Sequence, residues 1–383
     1  MSIQVALLLA LFGLMIIGLI LGQELAFVLG GSGIIVGMLA WGDAGATISM
    51  TKMYDQMQSY SMVVIPMFVL MANFLTHSKV ADGLFESIRY LLGPLKGGLG
   101  LAVIVVSTIF AATTGIVGAS VVTMGMLSVP ILLKFNYNKR LSCGMVCAGG
   151  SLGILIPPSI MLVTLGTYAE VSVGRLFFAA IIPGLILALA YMIYILVVCH
   201  IFKDWGPAMS PEELAAMPFR KRVTGSLINL VPPLILIFAV LGSIFAGIAT
   251  PTEAAGMGAL FSLILAICYK QFSWKMMFDS LVDTAKTTAM VFIILFGAAA
   301  FTAIFMSLNG DDIIIALVES LGLGKWGALL IFFVIVFIMG CFLDWTGIVM
   351  ICMPIFLPIM DMFGFDRLCA AGKWGCLEMY PSG

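Results

Sequence analysis

The sequence predicts an all-α membrane protein that crosses the bilayer many times. Of its 383 residues, 62% are hydrophobic and only 10% are charged, whereas a soluble domain has about 45–50% apolar and about 25% charged residues. Apolar runs long enough to span a bilayer recur along the chain, and its mean hydropathy is +1.19. Several of these runs are interrupted by Gly and Pro, which indicates broken membrane helices.

The composition also excludes several classes of protein. A net charge of −1 does not fit a basic nucleic-acid binder, and the two histidines, His77 and His200, are too few and too far apart for a multi-histidine metal or haem protein. Cys143 and Cys147 have i,i+4 spacing, which is more typical of helix packing than of a metal site. We therefore expect no enzyme, no cofactor and no nucleic-acid partner, and extensive contact with the lipid bilayer.

The predicted spans follow from the length of the apolar runs, since a crossing helix needs about 20 such residues. The runs cover 3–22, 25–42, 58–76, 98–133, 141–165, 174–202, 224–248, 254–270, 286–308 and 326–363. The first contains no Lys or Arg, unlike the start of a signal peptide, and is predicted to be the first membrane helix. Two runs, 98–133 and 326–363, are too long for one crossing and are predicted to fold back as re-entrant hairpins.

Basic residues predict the orientation. If 98–133 is re-entrant, the clusters of Lys and Arg between the spans fall on one face, which the positive-inside rule makes cytoplasmic. An ordinary crossing at 98–133 would instead put Arg89 and Arg140 on opposite faces. The charge distribution therefore supports the hairpin independently of the hydropathy.

These spans, together with the internal repeat and the resemblance described below, give the predicted domain organisation. We predict N-terminal scaffold helices at 1–57, a first repeat at 58–202 with its hairpin near 98–133, a cytoplasmic linker at 203–222, scaffold helices of the second half at 223–285, an incomplete second repeat at 286–366 and an atypical tail at 367–383. The linker contains Ser210-Pro211-Glu212-Glu213, the pattern of a capped helix start.

An internal repeat relates the two halves. Thr114-Gly115-Ile116-Val117 recurs as Thr346-Gly347-Ile348-Val349, and Val129-Pro130-Ile131 resembles Leu357-Pro358-Ile359. Each copy lies in a long apolar run. Broken hydrophobic segments in corresponding positions of two halves are typical of a transporter binding site.

Three breaks carry the chemistry that the sequence offers. They are Thr113-Thr114-Gly115, with Gly118 and Ser120 just after; Gly149-Gly150-Ser151-Leu152-Gly153, running into Ile156-Pro157-Pro158-Ser159; and Asp344-Trp345-Thr346-Gly347. Glycine lets a helix unwind and proline frees carbonyl oxygens, which suit a hard cation such as sodium. The N-terminus of a half-helix suits a carboxylate. A single break is more often a packing kink, but three breaks, two of them related by the repeat, favour a functional site.

Two acidic residues in the apolar runs have structural interpretations. Thr250-Pro251-Thr252-Glu253 predicts a capping box in which Thr250 and Glu253 close their own helix start. Asp344 could cap the half-helix that follows it or lie near a cation, and the sequence favours neither.

Several strings resemble the large membrane subunit of TRAP (tripartite ATP-independent periplasmic) transporters. They are Gly150-Ser151-Leu152-Gly153-Ile154-Leu155-Ile156-Pro157-Pro158-Ser159, Gly247-Ile248-Ala249-Thr250-Pro251-Thr252-Glu253-Ala254-Ala255, Ile65-Pro66-Met67-Phe68-Val69-Leu70-Met71, and Asp344-Trp345 with Met353-Pro354-Ile355-Phe356-Leu357-Pro358. The resemblance extends over residues 1–366.

The resemblance implies a multi-pass protein of the bacterial inner membrane, with inverted repeats that work as an elevator. It implies sodium-coupled import of a small organic anion, such as a dicarboxylate or another carboxylate. A periplasmic substrate-binding protein and a separate small membrane subunit are the implied partners. Carried over by position, and with the flanking Gly118 and Ser120 of the first break, the substrate and sodium region comprises Thr113, Thr114, Gly115, Gly118, Ser120, Gly150, Ser151, Pro157, Pro158, Asp344, Thr346 and Gly347.

The end of the sequence departs from the family. After Asp366 the family continues with an apolar segment and a second Pro-Pro break, whereas 367–383 is short and polar. This predicts a C-terminal truncation that removes half of the second site. Two alternatives to the TRAP subunit stay open, a stand-alone sodium–anion symporter and a non-transporting remnant of the permease.

Overall fold

The computed structural model describes residues 3–364 except 79, 116, 170, 203, 211–217, 321, 323 and 342–344. Throughout this part of the chain the regular elements are helices. A short 3-10 helix at Tyr60–Val63 precedes α4. The α-helices are α1 (Ile3–Ile20), α2 (Leu25–Trp41), α3 (Asp43–Met57), α4 (Val64–His77), α5 (Val80–Leu92), α6 (Gly98–Thr114), α7 (Val117–Lys134), α8 (Lys139–Leu155), α9 (Ile160–Tyr168), α10 (Val173–Ile201), α11 (Phe219–Phe245), α12 (Pro251–Cys268), α13 (Trp274–Ser307), α14 (Gly310–Ser320), α15 (Lys325–Gly340) and α16 (Trp345–Met362).

The lengths and compositions of these helices fit a membrane protein. Within the described residues, eight helical segments are long and apolar enough to cross a bilayer, or nine if the bent pair α14–α15 forms one span. The all-α polytopic fold that the composition predicts is therefore confirmed. Two predicted segments, the helix start at Ser210-Pro211-Glu212-Glu213 and the tail at 367–383, depend on residues outside the described part of the chain.

The helices form two compact units. Within the described residues, one comprises 3–62, 168–169 and 286–364, and the other comprises 63–167 and 171–285. The boundary between Ala285 and Lys286 lies inside α13. The domain assignment made from the sequence stays a prediction.

In the first unit, α2 packs closely on the second part of α13 because glycines face each other. A Cβ on Gly33 would lie 3.0 Å from the backbone of Ala300, and one on Gly297 would lie 2.3 Å from the carbonyl oxygen of Ala26. Small residues at such positions let helix backbones approach closely, which is how membrane helices associate. Phe12 of α1 packs edge-on against Phe301 of α13, with ring centroids 5.6 Å apart.

In the second unit, α6 and α7 pack on each other and both pack on α8. Tyr137 lies just after α7, and its hydroxyl accepts a hydrogen bond of 3.2 Å from the backbone N–H of Leu99 at the start of α6. The chain therefore returns at the end of α7 to the place where α6 began. The two helices form a hairpin at 98–134, and its depth in the bilayer stays a prediction.

The side chain of Tyr137, at the base of the hairpin where α6 begins and α7 ends, is uncharged. Its side chain is buried, and burial raises the pKa of Tyr137 well above its ordinary value. The hydroxyl consequently keeps its proton at physiological pH, and its hydrogen bond to Leu99 does not depend on pH in that range.

Candidate functional site

The tip of the hairpin requires a glycine. Gly115 follows the last residue of α6 and has φ +62°, a left-handed conformation that glycine adopts most readily. A Cβ at this position would also lie 2.9 Å from the carbonyl oxygen of Pro158 and 3.3 Å from Cα of Ser159. Backbone conformation and close contact therefore both exclude a side chain, and the contact places the tip against the Pro-Pro break.

The Pro-Pro break separates α8 from α9. Ile156 is extended, with φ −88° and ψ 121°, and the Pro157–Pro158 peptide bond is cis. Ser159 joins the two helix ends: its hydroxyl donates to the carbonyl of Ile154 at 2.7 Å and accepts from the N–H of Leu162 at 3.5 Å. The sequence interpretation included Ser159 in the motif but not among the site residues. A serine directly after Pro-Pro and before an apolar run is the N-cap signal that could have found it.

Four helix ends meet at this point. Gly115 touches Pro158, and the ends of α6 and α8 and the starts of α7 and α9 all lie within three residues of these two positions. The last turns of α6 and α8 leave carbonyl oxygens without helical donors, and the first turns of α7 and α9 leave N–H groups without helical acceptors. The region can therefore offer oxygen ligands to a cation and N–H groups to an anion.

A small crevice borders the break. Thr113 and Pro158 line it together with Met71 and apolar residues of α6 and α11, namely Ala112, Leu236, Ile237 and Val240. It has no room for a water molecule in this conformation. Thr113 is fully buried, and its hydroxyl donates to the carbonyl of Phe110 at 2.7 Å, which leaves its oxygen lone pairs to accept or coordinate.

The other site residues predicted in the first half differ from one another in burial and in contacts. Ser120 of α7 is buried, whereas Gly118 in the first turn of α7 is exposed, with no atom near the position of a Cβ. Gly150 of α8 packs directly on Val121 of α7, because a Cβ there would lie 2.1 Å from its Cγ2. The hydroxyl of Ser151 donates to the carbonyl of Ala148 at 2.8 Å, within its own helix. Thr114 is the last residue of α6.

The second half does not repeat this geometry residue by residue. Thr346 and Gly347 lie in the first turn of α16 and are buried, and Gly347 is helical rather than left-handed. Asp344 lies outside the described residues. The tetrapeptide shared with 114–117 therefore straddles a break in the first half and follows one in the second.

The predicted capping box is present at the start of α12. The carboxylate of Glu253 accepts from the backbone N–H of Thr250 at 2.8 Å and from its hydroxyl at 2.9 Å. The Thr250 hydroxyl in turn accepts from the N–H of Glu253 at 3.3 Å. The carboxylate is therefore engaged in starting its helix.

Comparison with known proteins identifies the family. A sequence model described as "Tripartite ATP-independent periplasmic transporter, DctM component" matches residues 8–371. The chain belongs to this DctM family. It is 33% identical over 319 residues to the C4-dicarboxylate TRAP transporter large permease protein DctM of Pseudomonas aeruginosa, an alignment that covers 83% of this chain and 73% of the relative.

Other relatives of this DctM-family chain have different substrates in their names. It is 27% identical to the ectoine/5-hydroxyectoine TRAP transporter large permease protein UehC of Ruegeria pomeroyi, over 93% of this chain and 82% of the relative. It is 25% identical to the sialic acid TRAP transporter large permease protein SiaM of Vibrio cholerae, over 92% and 80%. The chain is thus a multi-span inner-membrane transporter permease and not an enzyme, and the family alone does not fix its substrate.

Proposed function

We propose that this chain is the large permease subunit of a sodium-coupled secondary transporter that imports a small organic anion, a dicarboxylate or another carboxylate. The observation that carries the proposal is the contact between Gly115 and Pro158, which gathers four helix ends in one place. Such interrupted helices are where membrane transporters bind substrates and coupling ions.

Sodium coupling is supported by the kind of groups at the site. In the described residues no cluster of three or more His, Cys, Asp or Glu side chains could hold a metal ion. The region instead offers carbonyl oxygens at the ends of α6 and α8 and the hydroxyls of Thr113 and Ser159. Neutral oxygen donors of this kind suit an alkali cation that must bind and leave, because they supply dipoles without a fixed charge.

An anionic substrate is supported by the two helix starts at the same point. The first turns of α7 and α9 present backbone N–H groups that have no acceptor within their own helices, and the positive ends of their helix dipoles, which favour a carboxylate. The relative from Pseudomonas aeruginosa is named for C4-dicarboxylates, which fits this chemistry. We further propose a periplasmic substrate-binding protein and a small membrane subunit as partners, as the family description implies.

Uptake into proteoliposomes tests the proposal. The chain is reconstituted with a small membrane subunit and a binding protein of its own organism, and labelled succinate is supplied outside under an inward sodium gradient. We expect accumulation that needs both sodium and the binding protein. N-acetylneuraminate and ectoine, supplied with their own binding proteins, extend the test to the other substrate names found among the relatives.

The alternatives give different results in the same assay. Uptake without the binding protein would indicate a stand-alone symporter. Equal uptake under a potassium gradient would refute sodium coupling. No uptake of any of the three probes, by protein shown to be folded and assembled, would indicate a chain that does not transport.

A further inference from the structure

A short segment after α10 is tied to both loops at the base of the α6–α7 hairpin. This segment, 204–209, is called the strap below. The carbonyl of Gly206 accepts from the N–H of Gly97 at 2.9 Å, and the carbonyl of Trp205 accepts from the N–H of Asn138 at 3.0 Å. The N–H of Met209 donates to the carbonyl of Gly93 at 3.0 Å.

The side chains beneath the strap are buried. Met209 is 5% exposed and contacts Gly93, where a Cβ would lie 2.4 Å from its sulfur. Cys199, at the end of α10, is 0% exposed and lies against both Gly97 and Gly206, since its sulfur would be 3.0 Å and 2.4 Å from a Cβ at these positions. Met209, Cys199 and Tyr137 all belong to one apolar core with residues of α6 and α8.

We propose that the strap permanently holds the base of the α6–α7 hairpin on α10 throughout transport, so that a change of conformation within the hairpin is confined to its tip. The proposal rests on the transport function proposed above. It adds that α6, α7, α10 and the strap move as one body, with gating limited to the residues around Gly115.

The base and the tip of the hairpin differ in hydrogen bonding and burial, and this difference supports a fixed base and a movable tip. Opening the base would break three backbone hydrogen bonds and expose the apolar side chains of Met209 and Tyr137, and unpaired backbone groups are costly near a membrane. Near the tip, by contrast, Gly118 is exposed, and no atom lies within 4 Å of the position of a Cβ.

The reactivity of Cys199 shows whether the strap opens, and this measurement does not require transport activity. The purified assembled transporter is treated with N-ethylmaleimide, with and without sodium and succinate, and the modified cysteines are located by peptide mass spectrometry. We expect Cys199 to stay unmodified in every condition and to react once the protein is denatured in SDS. Modification of Cys199 in the folded protein in any ligand condition would show that the strap opens, and would overturn the proposal.

A disulfide across the strap provides the second test. The double variant Gly93→Cys/Met209→Cys joins the strap to the loop before α6, and each single variant serves as its control. If the strap holds the base permanently, oxidised and reduced forms of the double variant take up succinate at the same rate. Loss of uptake on oxidation that dithiothreitol restores would refute it. Absence of uptake by the unmodified chain would count against the transport function alone, because the reactivity of Cys199 still decides the state of the strap.

Discussion

Gly115 is the residue on which the geometry of the site depends most directly. We predict that Gly115→Ala abolishes sodium-dependent uptake, because alanine is strained at φ +62° and its Cβ would collide with the carbonyl of Pro158. The left-handed strain alone costs about 1–2 kcal/mol. Gly144→Ala in α8 is the matched control, since no atom lies within 4 Å of its Cβ position. Equal uptake by the two variants would contradict the role given to the tip.

Ser159 is the residue that holds the ends of α8 and α9 together. Ser159→Ala removes a buried hydroxyl that donates to Ile154 and accepts from Leu162, so we expect a loss of about 0.5–2 kcal/mol of stability. A lower Tm of the detergent-solubilised protein would measure it. Ser159→Thr keeps the hydroxyl and should recover most of the loss; if it behaves like alanine, the hydrogen bonds are not the cause.

The conformational preferences of single residues predicted where the helices are interrupted, but not which residues contact each interruption. Gly115 and Pro157-Pro158 are visible in the sequence because glycine and proline interrupt helices for local reasons. The contact between Gly115 and Pro158, and the hydrogen bonds of the strap, join residues more than 40 positions apart in sequence. No local propensity encodes such distances, so they became visible only in the structure.

At the scale of elements, the repeat is a repeat of helices rather than of one tetrapeptide. Pro130 and Pro358 are each the fourteenth residue of their helices, α7 and α16. The shared Thr-Gly-Ile-Val string, however, begins 16 residues before Pro130 and 12 residues before Pro358. The string is therefore displaced by four residues relative to the proline: it straddles the break before α7 but lies inside α16, near its start. Sequence matching alone could not detect this displacement.

The packing of α2 on α13 is a second feature of this scale. We predict that Gly33→Ala lowers the stability of the protein by about 1–3 kcal/mol, because its Cβ would lie 3.0 Å from the backbone of Ala300 and the helices would have to separate. Gly31→Ala, two residues away in the same helix, meets no atom within 4 Å and should be neutral or slightly stabilising. Thermal unfolding followed by tryptophan fluorescence compares them, and an equal Tm for both variants would argue against close packing at Gly33.

At the scale of the whole molecule, the strap connects the charge pattern with the topology. The loop that carries Lys96 and the loop that ends just before Lys139 both bond to the strap. The two loops therefore lie on the same side of the hairpin, as the re-entrant interpretation of 98–133 requires. The positive-inside rule makes that side cytoplasmic. The loop containing Ile248 follows α11, whose first residues are basic. If α11 crosses the membrane, this loop is expected on the opposite face.

Site-directed labelling tests this topology. Lys96→Cys, Lys139→Cys and Ile248→Cys are made in a chain whose exposed native cysteines are replaced by serine, and a membrane-impermeant maleimide is applied to spheroplasts and to inverted vesicles. All three positions are exposed, so each should react when its side faces the reagent. We expect positions 96 and 139 to react only in inverted vesicles and position 248 only in spheroplasts. Labelling of 96 and 139 from opposite sides would mean that 98–133 crosses the membrane, and the hairpin, the strap and the site at its tip would all have to be reinterpreted.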